Sequence, residues 1–75
     1  MTIGENIKRL RLKAGLTQQE LADKLGVSNV NISLIESDQR GLSVKKADLL
    51  ASILGVTIND LVANNISIQE ELDRR

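Results

Sequence analysis

The sequence contains no cysteine, histidine, proline, tryptophan, tyrosine or phenylalanine, and each absence removes a class of chemistry. Without histidine or cysteine there is no serine–histidine or cysteine–histidine nucleophile pair, and no ligand set for a structural zinc ion. The carboxylates that remain lack the spacing of a calcium loop. Enzymatic activity, a bound metal, a cofactor and a small-molecule ligand are therefore not expected. Modules that bind single-stranded nucleic acid stack bases on aromatic rings, and this chain has no such ring to offer. Duplex nucleic acid stays open. No run approaches the ~18–20 apolar residues of a membrane span, and Met1–Leu10 has no apolar signal core, so a cytoplasmic protein away from membranes is expected.

What is present is aliphatic. The 75 residues correspond to one domain, and 25 of them are Leu, Ile or Val. A core this small, with no disulfide or metal to staple it, needs support from helix caps, local helix propensity or a partner subunit. Ten basic residues balance ten acidic ones, but unevenly along the chain. Residues 1–47 carry eight Lys/Arg against five acids, whereas residues 48–75 carry two against five. The N-terminal part is either a basic face for a polyanion or an unevenly charged solvated surface.

A recurring signal marks the helix starts: an apolar residue, a Ser/Thr cap, and an apolar residue five positions after the first. Leu16-Thr17-Gln18-Gln19-Glu20-Leu21 has Thr17 as N-cap, Glu20 closing a capping box, and Leu16 stapled to Leu21. Val27-Ser28 before Ile32 and Val56-Thr57 before Leu61 repeat it; Leu42-Ser43 is a weaker case, and Thr2 with Glu5 boxes the first helix. Gly15, Gly26 and Gly55 mark helix ends. The punctuation predicts helices over Ile3–Ala14, Gln18–Leu25, Asn29–Glu36, Val44–Leu54 and Ile58–Ala63, with no strand. Apolar spacing puts Ile3, Ile7, Leu10 and Ala14 on one core face, and Ala47, Leu50, Ala51 and Leu54 on another. Residues 1–65 form the domain on this reading, and 66–75 a tail. In that tail three readings stay open: Ser67 with Glu70 starts a sixth short helix, Ile66-Ser67-Ile68 alternates as a strand does, or the end frays.

The second and third helices are joined only by Gly26-Val27-Ser28, the tight turn of a helix-turn-helix. Many bundles contain such a turn. The wider set is more specific: Ile7-Lys8-Arg9-Leu10-Arg11, Gly15-Leu16-Thr17-Gln18, Glu20-Leu21-Ala22, Leu25-Gly26-Val27-Ser28, Ile32-Ser33, Ile35-Glu36 and Leu54-Gly55-Val56-Thr57. These residues strongly resemble the Cro/repressor-type (XRE) helix-turn-helix family from residue 3 to about 63. The resemblance implies an all-α, five-helix, lambda-repressor-like domain whose third helix enters the DNA major groove. It further implies a homodimer on a near-palindromic operator.

With Ile32 and Ile35 turned to the core, the opposite side of the third helix carries Val30, Ser33, Leu34 and Ser37, with Asn29 and Asn31 at its leading turn. By resemblance Asn29, Val30, Ser33 and Leu34 fall at base-facing positions, and Gln18 and Asn31 at phosphate-facing ones. This helix has no Arg, Lys or Gln, so its readout should favour A·T: Asn pairs with adenine, and Val30 and Leu34 pack on thymine methyls. A protein contact is the other use for Val30 and Leu34. Phosphate contacts are expected from Arg40, Lys45 and Lys46. The family usually has glycine where Asp38 stands and proline where Leu42 stands, so this loop departs from the pattern; aspartate still tolerates a left-handed backbone. Arg11 and Glu36 match a structural ion pair of the family.

Leu49, Ile53, Ile58 and Val62 add to the inward set beyond what one small core requires; either they complete the monomer core or a partner covers them, and a dimer interface through Ile58, Val62, Ile66 and Ile68 is expected. The function implied is a transcriptional regulator of the phage repressor, Cro or restriction–modification controller kind. The alternative is an antitoxin or other interaction module, with a partner-binding tail and an autoregulatory helix-turn-helix.

Overall fold

The computed structural model describes residues 2–62, and the tail with Ile66 and Ile68 lies outside the described residues. Five helices follow one another: α1 (Ile3–Lys13), α2 (Gln18–Leu25), α3 (Asn29–Glu36), α4 (Val44–Leu54) and α5 (Ile58–Leu61). No strand occurs among the described residues.

Every predicted cap among the described residues is made, and the one at Ser67 lies outside them. The hydroxyls of Thr2, Thr17, Ser28, Ser43 and Thr57 each accept from the backbone N–H three residues on. Glu5, Glu20 and Asp60 close capping boxes by accepting from the cap's own N–H. These caps satisfy amide donors that a helix start leaves without an intrahelical partner. The residues of the three staples are buried as the spacing requires, with Leu16, Val27 and Val56 half-buried against the core and Leu21, Ile32 and Leu61 fully buried within it.

Two helix ends differ from the prediction. α1 stops at Lys13, because Ala14 serves as its C-cap before the left-handed Gly15. α5 stops at Leu61, because Val62 leaves helical geometry at φ −104° and ψ 17°; Ala63 lies outside the described residues.

The core draws on all five helices: Ile7 and Leu10 from α1; Leu21, Ala22 and Leu25 from α2; Ile32 and Ile35 from α3; Leu50 and Ala51 from α4; Leu61 from α5. α2 packs on α3 and α4, α1 on α3 and α5, and α4 on α5. The two spacing-derived stripes hold in their centres and fail at their ends. Ile3 and Ala14 are exposed, since the ends of α1 overhang the small core, and Ala47 and Leu54 are half-buried.

Where α1 crosses the end of α3, the backbones touch. A Cβ at Gly4 would lie 2.5 Å from the Glu36 carbonyl oxygen and 2.6 Å from that of Ile35, so only glycine fits this position.

Three polar residues are buried with the core: Asn6, Arg11 and Glu36. The Asn6 amide nitrogen donates to the carbonyl oxygens of Asp60 (2.8 Å) and Leu61 (2.7 Å), tying the one-turn α5 to α1. Its carbonyl accepts from Arg9 at 2.7 and 3.2 Å. No buried side-chain polar atom among the described residues lacks a partner. Burying polar groups is tolerable only when they are so paired.

Candidate nucleic-acid interface

The turn between α2 and α3 is set by its three residues. Gly26 caps α2 in the left-handed conformation, at φ 78°, where a Cβ would be strained. Val27 sinks half-buried against the core, and Ser28 starts α3 by accepting from the Asn31 N–H at 3.1 Å.

α3 consequently has two unlike sides. Ile32, Ile35 and Glu36 face inward and are buried. Asn29, Val30, Ser33 and Ser37 are exposed, and Val30 leaves 66% of its surface in water. Leu34, assigned by sequence to the same outward set, is half-buried, so less of it is available for contact. The helix carries no basic residue in its last turn and no acidic one in its first, as its sequence requires.

Behind α3 lies the ion pair. Arg11 Nε donates to Glu36 Oε2 at 2.6 Å and Nη2 to Oε1 at 3.2 Å, a two-pronged contact with both side chains nearly excluded from water. The remaining guanidinium nitrogen, Nη1, donates to the Leu16 carbonyl at 2.8 Å, so Arg11 also fixes the connection from α1 to α2. Gln18 joins this cluster by donating from Nε2 to Glu36 Oε1 at 3.1 Å. The expectation for Gln18 considered only an external phosphate. In the structure its side chain spends a donor inside the domain and, half-buried, keeps its carbonyl oxygen and one N–H.

In front of α3, the segment Ser37–Ser43 brings Arg40 to the helix's leading turn. Arg40 Nη1 donates to Asn31 Oδ1 at 3.1 Å on the exposed surface. This bond orients the Asn31 amide and leaves further N–H donors on both side chains. Two residues assigned to phosphate contact are thus neighbours. Lys45 (exposed) and Lys46 (half-buried) stand in the first turn of α4. Cations there oppose the helix dipole, so an external anion would relieve their position.

Asp38 holds the loop's path. It is the one described non-glycine residue with positive φ, at 64°. Asp38 N–H bonds to the Ile35 carbonyl (3.1 Å) and Gln39 N–H to the Leu34 carbonyl (2.9 Å), the paired closure that usually has glycine in the left-handed place. The tolerance expected of aspartate is therefore used.

Of the residues expected at a dimer interface, Ile58 is 38% exposed and Val62 half-buried. Leu49 on α4 is exposed as well, whereas Ile53 is half-buried and packs on the core. A shallow groove between α4 and α5 is lined by Asp48, Ala51, Ser52, Val56, Thr57 and Ile58 among others. No group of three or more potential metal-ligating side chains occurs among the described residues. None of the described helices is long and apolar enough to cross a membrane.

The helix-turn-helix family model matches residues 7–61. The immunity repressor protein of Bacillus phage phi105 is 34% identical over 71 residues, which cover 95% of this chain and 49% of that protein. The transcriptional regulator ImmR of Bacillus subtilis is 34% identical over 74 residues, covering 97% of this chain and 58% of that protein. The chain thus spans about half the length of these curated relatives. Among solved structures, the biofilm regulator SinR of Bacillus subtilis in complex with DNA superposes with a TM-score of 0.75 at 31% identity, covering 80% of this chain and 97% of that one.

Proposed function

This chain belongs to the XRE-type helix-turn-helix family, and on that premise we propose that it is a sequence-specific, double-stranded DNA-binding transcriptional regulator acting as a homodimer on a near-palindromic operator. The observation that carries the reading is the two-sided α3: a buried side held by the core and the Arg11–Glu36 pair, and an exposed side flanked by the Arg40–Asn31 pair. The named activities of the phage repressor, and of the DNA-bound structural neighbour, support it.

In this reading Asn29, Val30, Ser33 and the exposed part of Leu34 meet base edges. Asn31, Arg40, Lys45, Lys46 and the N-terminus of α2 at Gln18 meet phosphates. The short, uncharged reach of α3 makes A·T pairs its preferred contacts. Ile58 and Val62, with Ile66 and Ile68 of the tail 66–75, form the isologous interface that spaces two such helices about one DNA turn, ~34 Å, apart. The protein works in the cytoplasm and catalyses no reaction.

Selection from a pool of random duplexes at about 0.15 M salt tests this, because electrostatic binding without sequence preference is already weakened there. Enrichment of a two-fold symmetric site with half-sites roughly 10 base pairs apart is expected. Failure of the folded protein to enrich any sequence would refute the assignment. Sedimentation of a monomer at tens of micromolar would remove the homodimer.

A further inference from the structure

The Asp38 carboxylate reaches the start of α1. Its Oδ1 accepts from the Gly4 N–H at 2.9 Å, and Oδ2 accepts from the Thr2 hydroxyl. The Thr2 hydroxyl meanwhile caps α1 by accepting from the Glu5 N–H, so one small network joins the N-terminus of α1 to the residue that ends α3. The contact is close because Gly4 lets the two backbones touch, and favourable because a carboxylate sits at the positive end of a helix dipole. Two residues beyond Asp38, the Arg40 N–H folds back onto the Leu34 carbonyl at 3.2 Å, and the Arg40 side chain reaches Asn31.

We propose that Asp38 is a positioning residue: it latches the loop after the recognition helix onto the first helix, and so holds Arg40 ready for a DNA phosphate. The side chain serves two needs that glycine would split, since glycine gives the left-handed turn but no latch. Arg40 is thereby ordered before DNA arrives, and binding does not have to immobilise the loop. The phosphate part rests on the DNA-binding reading above; the latch does not.

Two variants separate latch from charge. Asp38→Asn and Asp38→Gly both remove the negative charge and both accept the left-handed backbone, but only asparagine keeps an acceptor for the Gly4 N–H and a polar partner for Thr2. Neither touches the core, and circular dichroism establishes that each is folded.

In the Asp38→Gly protein the Gly4 amide should exchange its hydrogen faster. The Gln39 and Arg40 backbone order parameters should fall from roughly 0.85 toward 0.6. Both should stay near wild type in Asp38→Asn. On mixed-sequence duplex DNA at low salt, Asp38→Gly should bind about three- to tenfold more weakly than Asp38→Asn, the cost of immobilising a freed side chain and its loop. That gap should shrink below twofold in an Arg40→Ala background, because a penalty acting through Arg40 disappears with Arg40.

Equal Gly4 exchange and equal loop order in the two variants overturn the latch, whatever happens with DNA. A binding gap that persists without Arg40 overturns the positioning role and leaves Asp38 a general stabiliser. Wild-type protein that binds no duplex refutes the DNA reading instead, while the exchange and order measurements still decide whether the latch exists.

Discussion

The two sides of α3 differ in how completely their polar groups are used. On the inner side Glu36 accepts three hydrogen bonds, from Arg11 twice and from Gln18, and sits at 7% exposure. On the outer side Asn29 and Ser33 stand in water, and Arg40 makes one side-chain bond, to Asn31. A satisfied, dry cluster fixes position but offers nothing to a ligand; a wet, partly satisfied one offers donors at little desolvation cost. One eight-residue helix therefore carries its scaffold and its candidate reading surface back to back. Mutations on the two sides should separate into loss of fold and loss of recognition.

The largest effect is expected from the inner side. Glu36→Ala leaves the Arg11 guanidinium buried without its carboxylate and costs about 3–5 kcal/mol. That approaches the whole stability of a domain of this length, roughly 0.05–0.15 kcal/mol per residue. Urea unfolding should show the variant largely unfolded, and wild-type stability would refute a structural role. Replacing both partners at once, Arg11→Met with Glu36→Leu, should recover most of the loss, since no charge is then stranded.

Next comes Asn6, whose buried amide is the side-chain tie between α1 and the end of α5. Asn6→Ala strands the Asp60 and Leu61 carbonyls and should cost about 1–3 kcal/mol for the groups left unpaired. Amide exchange at Leu61 should accelerate more than at Leu21. Equal acceleration at both sites would mean that Asn6 supports the core as a whole.

Asn6 also marks the limit of what could be read from sequence. Caps, staples and glycine ends are local signals of three to six residues, and all five helices followed from them to within about two residues at each end. Arg11 and Glu36 stand out only through a resemblance that runs from residue 3 to about 63. Asn6 has its partners 54 and 55 residues away, and an asparagine beside Ile7 carries no mark of them. The Asp38 contacts with Thr2 and Gly4, 36 and 34 residues back, are hidden for the same reason. The departure from the family's glycine was the only hint that Asp38 mattered. Helix angle and resemblance both point Leu34 outward, and neither shows that it is half-buried, with its carbonyl accepting from the Gln39 and Arg40 N–H groups of the following loop.

On the outer side effects should be smaller and confined to DNA. Asn29→Ala should cost roughly 1–3 kcal/mol at one position of the selected site and leave unfolding unchanged. An unchanged base preference would remove Asn29 from the reading set. Arg40→Ala should weaken binding evenly across sequences and reduce the slope of log affinity against log salt by about one phosphate's share, ~0.9. A loss concentrated at one base pair would make Arg40 a base reader instead.

The smallest expected effect lies with neither side of α3 but in the caps that hold the helices around it. Hydrogen bonds from the backbone of Thr2, Thr17 and Thr57 stabilise the ionised forms of Glu5, Glu20 and Asp60, and hold all three below their ordinary carboxylate pKa. A carboxylate whose pKa is lower when folded stabilises the protein above the unfolded value, about 4.3 for Glu and 3.9 for Asp, and loses that contribution as pH falls through the folded value. The share of stability owed to these three groups should therefore be flat from pH 7 to about 5 and decline below it. All three are solvent-exposed, so each contribution is small, and that share should decline with a shallow slope. Glu20→Gln keeps an acceptor for the Thr17 N–H but no longer titrates. Its urea midpoint should lie slightly below wild type at pH 7 and converge with it near pH 3. A gap that stays constant down to pH 3 would show that the charge of Glu20 has no part in holding α2.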